Sequence, residues 1–300
     1  MIHLSVKKRY ALIAALSMLI ATSCTNDNEP EAARGIAFQS NVQTRAVKEN
    51  FISGDAFTVW GGYDGDATNV FNGETVTFDG ANWSYAGTRY WVSGKTYDFY
   101  AVYPTNVENC NTSTSGTITV SDFDTSDNTD LMTAEALGMN GSNPQTVPFT
   151  FRHELARVSV VVQNESGIAG TATQVSFSDI FTTGTLTRSS STTNASWSYT
   201  DNRPISESNI SISATGETKL LEDLLLIPQA LNGKTLSVTI DRSGTTLAGN
   251  LNLSGLWEAG HTYRYVITVQ ADAITFSNFT ADEWGETHTG GDINIGGSTN

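Results

Sequence analysis

Apolar and polar residues alternate over short stretches for most of this chain, and glycine, asparagine and aspartate separate the stretches. Phe57-Thr58-Val59-Trp60 stops at Gly61-Gly62, and Thr75-Val76-Thr77-Phe78 runs into Asp79-Gly80 ahead of Trp83-Ser84-Tyr85. An Asp-Gly between two alternating runs predicts a hairpin, because its backbone accepts positive φ. Residues 96–103 and 116–120 follow, and these runs are expected to form one sandwich. A second set opens at Val147-Pro148-Phe149-Thr150-Phe151, continues through 157–162, 174–177, 184–187, 224–228, 236–240 and 247–251, and closes with 263–269. A period of two with no helical stretches between the runs predicts an all-β protein built as two β-sandwiches in tandem, not a βαβ fold. Residues 121–146 interrupt the pattern with Asp122, Asp124, Asp127, Asp130 and Pro144, and read as an inter-domain region. Within them, 131–139 reads as a strand or a short helical turn. The expected division is an N-terminal sandwich over 46–146 and a C-terminal one over 147–300.

The N-terminus follows a different rule. Lys7-Lys8-Arg9 precede an apolar run over 11–21 and then Thr22-Ser23-Cys24. A short positive region, an apolar core and small residues before a cut describe a secretory signal. A cysteine at the cut marks a bacterial lipoprotein signal over 1–23, whose thiol is acylated. The run is shorter than the roughly 20 apolar residues a membrane span needs. Thr25 to Glu31 is a polar, acidic tether, so the expected mature protein hangs from the outer membrane by lipid on Cys24, outside the cytoplasm. Residues 24–45 are then tether plus first strand.

Composition narrows the function classes. Loss of the signal removes three basic residues and no acidic ones, leaving 13 basic against 31 acidic, a net charge of −18. Such a surface repels nucleic acid and anionic lipid head groups. Cys110 is the one cysteine left beside the lipidated Cys24, so no internal disulfide forms and burial alone must hold the fold.

Signals for catalysis are weak. His153-Glu154 matches the start of the zinc-protease helix motif, but Arg157 stands where the second histidine belongs, and the valines at 158, 160 and 162 spell a strand. The acidic run 122–130 has Asp127 where a calcium loop needs glycine and Thr133 where it needs a bidentate acid, which favours a solvated loop. No Ser/His/Asp or Cys/His grouping is present, so no catalytic residue, metal site or cofactor is expected. Trp60, Tyr63, Trp83, Tyr85, Tyr90 and Trp91 would stack on sugars if exposed; their alternation within strands points to core packing.

Three stretches carry a resemblance. Pro148-Phe149-Thr150-Phe151-Arg152-His153-Glu154-Leu155-Ala156-Arg157-Val158 resembles the F-x-H-x-L-A-x-V strand of the fimbrillin family. Leu226-Ile227-Pro228-Gln229 resembles that family's strand end, and Trp257 to Val269, closing at Trp284, its C-terminal signature. Cys24 and Thr44-Arg45-Ala46 fit the same pattern. The resemblance covers nearly the whole chain and implies two transthyretin-like sandwiches in a type V pilus subunit of Bacteroidetes. It further implies export as a lipoprotein, cleavage by an arginine-specific protease, and polymerisation by strand addition between subunits. Cleavage after Arg45 would release residues 36–43 as the first strand; Arg34 is the other basic candidate, but a cut there leaves the strand in place. The tail, with Ile293 and Ile295 alternating with polar residues, reads either as a donor strand or as a last strand of the C-terminal sandwich. An uncut surface lipoprotein, acting as pilus anchor, tip or glycan-binding adhesin for a host or bacterial partner, is the alternative.

Overall fold

The computed structural model describes residues 34–42, 50–189 and 195–283, with side chains to residue 277. Cys24, Arg45, Trp284, His288 and the tail isoleucines lie outside these. Strands dominate, and among the described residues the helical content is a three-residue 3-10 turn, Thr125–Asp127. The first nine strands are β1 (Phe38–Val42), β2 (Ala56–Tyr63), β3 (Phe71–Phe78), β4 (Trp83–Ser84), β5 (Thr96–Tyr103), β6 (Cys110–Thr112), β7 (Ile118–Asp124), β8 (Met132–Asn140) and β9 (Val147–His153). Next come β10 (Ala156–Asn164), β11 (Gly170–Ser178), β12 (Phe181–Arg188), β13 (Ser196–Asn202), β14 (Ile205–Glu207), β15 (Ile210–Ile212) and β16 (Gly216–Leu226). The last six are β17 (Gln229–Ala230), β18 (Thr235–Arg242), β19 (Thr245–Asn252), β20 (Leu256–Trp257), β21 (His261–Val269) and β22 (Ile274–Glu283).

The first sheet holds seven strands in the order β1-β9-β8-β5-β2-β3-β4. The hairpin predicted at Asp79-Gly80 joins β3 to β4, with the Asp79 carboxylate accepting from the backbone of Ala81 and Asn82. Alternation sorts the side chains of this sheet to two faces. Phe57, Val59, Phe71, Tyr97, Phe99, Met132, Ala134, Phe149 and Phe151 gather on one face, where Ile36, Trp91 and Tyr85 also pack. Trp60, Tyr100 and Val102 point the other way, onto Ile118, Val120 and Phe123 of β7 and Leu186 of β12. Gly61 must lack a Cβ, which would sit 2.3 Å from the Phe99 ring that lies over it.

A second sheet runs β13-β12-β7-β6, so strands from the latter part of the chain pair with one from the earlier part, in a register from Thr183↔Asp124 to Arg188↔Ile118. Two four-stranded paths, β16-β10-β21-β22 and β14-β11-β18-β19, face each other across a third core that includes Val158, Val160, Phe177, Leu236, Trp257 and Tyr265. The described residues form one compact unit.

Residues 121–146 contain the end of β7 and the whole of β8, where the sequence offered a strand or a short helical turn over 131–139. Met132, Thr133 and Ala134 are buried in succession, because β8 is covered on both faces where it passes between the cores. A doubly buried strand loses the alternation that marks an exposed one. Val147–His153, placed at the opening of the second sandwich, hydrogen bonds within the first sheet.

Candidate assembly site

The first strand sits at the end of the seven-stranded sheet and pairs in parallel with β9, from Phe38↔Val147 to Val42↔Phe151. The backbone N–H of Val147 donates to the carbonyl of Ala37 at 2.8 Å. Ile36 and Phe38 are buried, Ala37, Gln39 and Asn41 are exposed, and Val42 is half-buried. This is the pattern expected of a strand with one face on a core. The Phe38 ring stacks on Phe149 at 5.7 Å and 8°, and meets Phe71, Tyr85, Phe99 and Phe57 edge-on at 5.4 to 6.1 Å. One residue of a five-residue strand therefore occupies the middle of the aromatic core.

A second wall closes over the start of the strand. The N–H of Ile36 donates to the carbonyl of Arg89 at 2.8 Å, and the N–H of Trp91 donates to the carbonyl of Arg34 at 3.1 Å. The Tyr85 hydroxyl donates to the carbonyl of Ile36 at 2.8 Å and accepts from the N–H of Arg89 at 3.3 Å. Burial pushes that phenol's pKa above its ordinary value. Residues 34–42 are thus held by β9 along one part and by the segment 85–91 along the other.

The aromatic residues named from the sequence pack inward for the most part. Trp60 and Trp91 are buried, Tyr63, Trp83 and Tyr85 are half-buried, and Tyr90 is exposed at 52%. Arg34 is exposed, with its carbonyl engaged as above. The Cys110 thiol, pushed up to about 12 by burial, is a poor nucleophile at neutral pH.

The family-like motif around His153 has a structural job. His153 is buried on β9 with Nδ1 2.9 Å from a carboxylate oxygen of Asp130, a residue of the acidic run. Asp124 in the same run accepts from the N–H of Ser126 and caps the 3-10 turn. Among the described residues, no group of three His, Cys, Asp or Glu side chains is placed to hold a metal ion. Glu154, fully buried, accepts from the Arg188 guanidinium at 2.7 Å and from the Thr133 hydroxyl. Its carbonyl accepts from the Trp197 indole at 3.3 Å. Phe151, Leu155 and Ala156 in turn enter the three separate cores. Six residues therefore carry the chain from one core through a second into a third, with a buried ion pair fixing the crossing.

The other two family-like stretches are similarly physical. The buried Gln229 amide accepts from the N–H of Phe181 at 2.9 Å and donates to the carbonyls of Phe181 and Ile227 at 3.0 and 2.9 Å. Its side chain acts as a rung between two strand ends. Trp257 donates its indole N–H to the Tyr265 hydroxyl at 3.0 Å, and the Tyr263 hydroxyl accepts from the N–H of Glu258 at 2.7 Å. The Glu154–Arg188 and Gln229–Phe181 partnerships were not legible in advance, since these residues lie 34 and 48 apart.

The fold and the edge strand define an all-β protein of stacked sheets with its first strand docked into an aromatic groove. The fimbrillin-like family profile matches residues 44–284, and the chain belongs to that family. Its fold is similar to that of a candidate cell adhesion protein from Bacteroides ovatus, with a TM-score of 0.60 at 19% identity over 86% of this chain and 100% of the other. A candidate cell adhesion protein from Bacteroides uniformis gives 0.57 at 22% identity over 83% and 99%. Among curated proteins, no match is found.

Proposed function

We propose that this protein is a structural and adhesive subunit of a cell-surface pilus, exported as a lipoprotein on Cys24, cut after Arg45 and joined to its neighbours by strand addition. Membership of the fimbrillin-like family supports the class. The observation that carries the mechanism is the placement of the first strand. It supplies Ile36 and Phe38 to the core, yet leads directly into the segment that contains Arg45. A cut there leaves the strand held by packing and hydrogen bonds alone. Burial of two large apolar side chains contributes about 3–6 kcal/mol, and each hydrogen bond about 0.5–1.5 kcal/mol. Departure of the strand opens a groove lined by Phe57, Phe71, Phe99 and Phe149 beside the bare edge of β9. An extended segment of another subunit satisfies both at once. The acceptor unit takes in β9, so we draw its boundary with the second sandwich at the 153–156 crossing.

In this reading the partners are other pilin subunits, an arginine-specific protease, and the outer membrane before processing. The glycan-binding alternative depends on exposed aromatic faces, and the inward packing of the Trp60 to Trp91 set gives it little support. The test is the intact mass and N-terminal residue of the protein recovered from its native surface. A chain starting at Ala46 without lipid supports the processed pilin. A chain starting at acylated Cys24 overturns processing and leaves a permanently anchored subunit.

A further inference from the structure

Arg89 is heavily engaged close to the first strand. Its guanidinium donates to the carbonyl of Val70 at 2.7 Å, to the carbonyl of Ala86 at 3.2 Å and to the Glu74 carboxylate. It also lies over the Phe71 ring at 4.7 Å and the Tyr85 ring at 5.6 Å. Through these contacts a side chain from the segment 85–91 is fastened to β3. The backbone of the same segment binds Arg34 and Ile36 on its other side. The approach to the strand is therefore not open: residues 34–36, immediately before it, are covered by a segment that one guanidinium ties down.

We propose that residues 85–91 are a latch on the first strand, fastened by Arg89 through Glu74, and that opening this latch limits how fast a strand leaves or enters the groove. Its use in assembly rests on the strand-addition reading above, whereas the latch itself is a property of the intact chain. The latch also defines what the groove accepts. An entering strand must offer a free N–H and C=O at the position of Ile36, an aliphatic side chain there, and a large apolar side chain two residues later, where Phe38 sits.

Hydrogen exchange of the intact protein, read peptide by peptide, tests the proposal with Arg89→Ala and Glu74→Gln. The expected result is exchange at least about tenfold faster over 34–38 and 85–91 in both variants, with β5 and β21 unchanged, as local opening requires. Unchanged exchange over 34–38 in Glu74→Gln, or a uniform rise across the whole first sheet in both variants, would overturn it. Glu74→Gln is isosteric and keeps the test valid where Arg89→Ala fails to fold. A second readout follows treatment with an arginine-specific protease: the fragment ending at Arg45 should leave the latch variants about tenfold faster than the parent. Absence of cleavage at Arg45 counts against processing, while the exchange data still decide the latch.

Discussion

Substituting Phe38 by alanine is the sharpest test of how the first strand is held. The ring is 5% exposed and touches five aromatic rings from β2, β3, β5, β9 and the segment after β4. Truncation of a buried phenylalanine costs about 3–5 kcal/mol through lost transfer energy and the cavity left behind. The strand ends the sheet and can shift toward β9, so partial collapse of the cavity favours the lower figure, about 3 kcal/mol. For a chain of this size that lowers the melting temperature by about 6–12 °C. Urea unfolding followed by tryptophan fluorescence reads the change, since Trp83 and Trp91 pack in the affected core and Trp257 in a distant one. Gln39→Ala, at an exposed position of the same strand, should change stability by less than about 0.5 kcal/mol. A loss below about 1 kcal/mol for Phe38→Ala, at an unchanged urea slope, would refute the docking of this strand and the acceptor groove with it.

Three further outcomes follow from the buried polar groups. Arg188→Met strands the Glu154 carboxylate and should cost about 3–5 kcal/mol in urea unfolding, most of it regained in the double variant with Glu154→Leu. Gln229→Leu leaves the backbone of Phe181 without its rung and should cost about 3 kcal/mol, with exchange at the Phe181 amide accelerating first. Alkali should unfold the protein. Burial raises Cys110 from 9.0 to about 12 and Tyr263 from 10.0 to about 12, and raises Tyr265 as well. Because these folded values exceed the unfolded ones, the stability is fully present below about pH 9. It then falls by about 1.4 kcal/mol per pH unit for each group in its window, the thiol from pH 9 and the phenols from pH 10. Melting curves from pH 8 to 11 should steepen downward, Cys110→Ala should remove the earliest part, and a flat profile would contradict the burial of all three.

Much of the fold was legible because strands such as β9, β18 and β21 bury one face and alternate. β2 and β5, buried on both faces over their later halves, carry runs of aromatic and β-branched residues, and the run 96–103 coincides with β5 residue for residue. β8 read only as a strand or a short helical turn over 131–139, because small residues buried on both faces and acidic flanks blur its alternation. β13 was obscured by the opposite cause: it is exposed over most of its length, and its two aromatic residues, Trp197 and Tyr199, stand among polar ones. β16 extends back to Gly216 through Glu217, Lys219 and Glu222, charges that sequence reading takes for a loop; a bulge accommodates the strand there. The first strand was visible in Ile36 and Phe38. The segment that fastens it was not, because the Arg89–Glu74 contact joins residues 15 apart on separate segments. The family-like motifs were visible as patterns of letters, while their physical role as core crossing, backbone rung and hydroxyl clamp exists only once distant segments meet.

The parallel pairing of β1 with β9 also sets how the molecule bears tension. The start of β1 and the end of β9 lie at opposite ends of their shared ladder, and the end of β9 continues into the buried crossing toward the second half. A pull on Arg34 opposed by one on the second half therefore slides the two strands along each other. All the rungs then resist together in shear, and none is peeled ahead of the rest. Strands pulled apart from the same end would instead unzip one bond at a time under far smaller forces. The orientation of a five-residue strand thus makes this joint strong along the strand direction and weak across it.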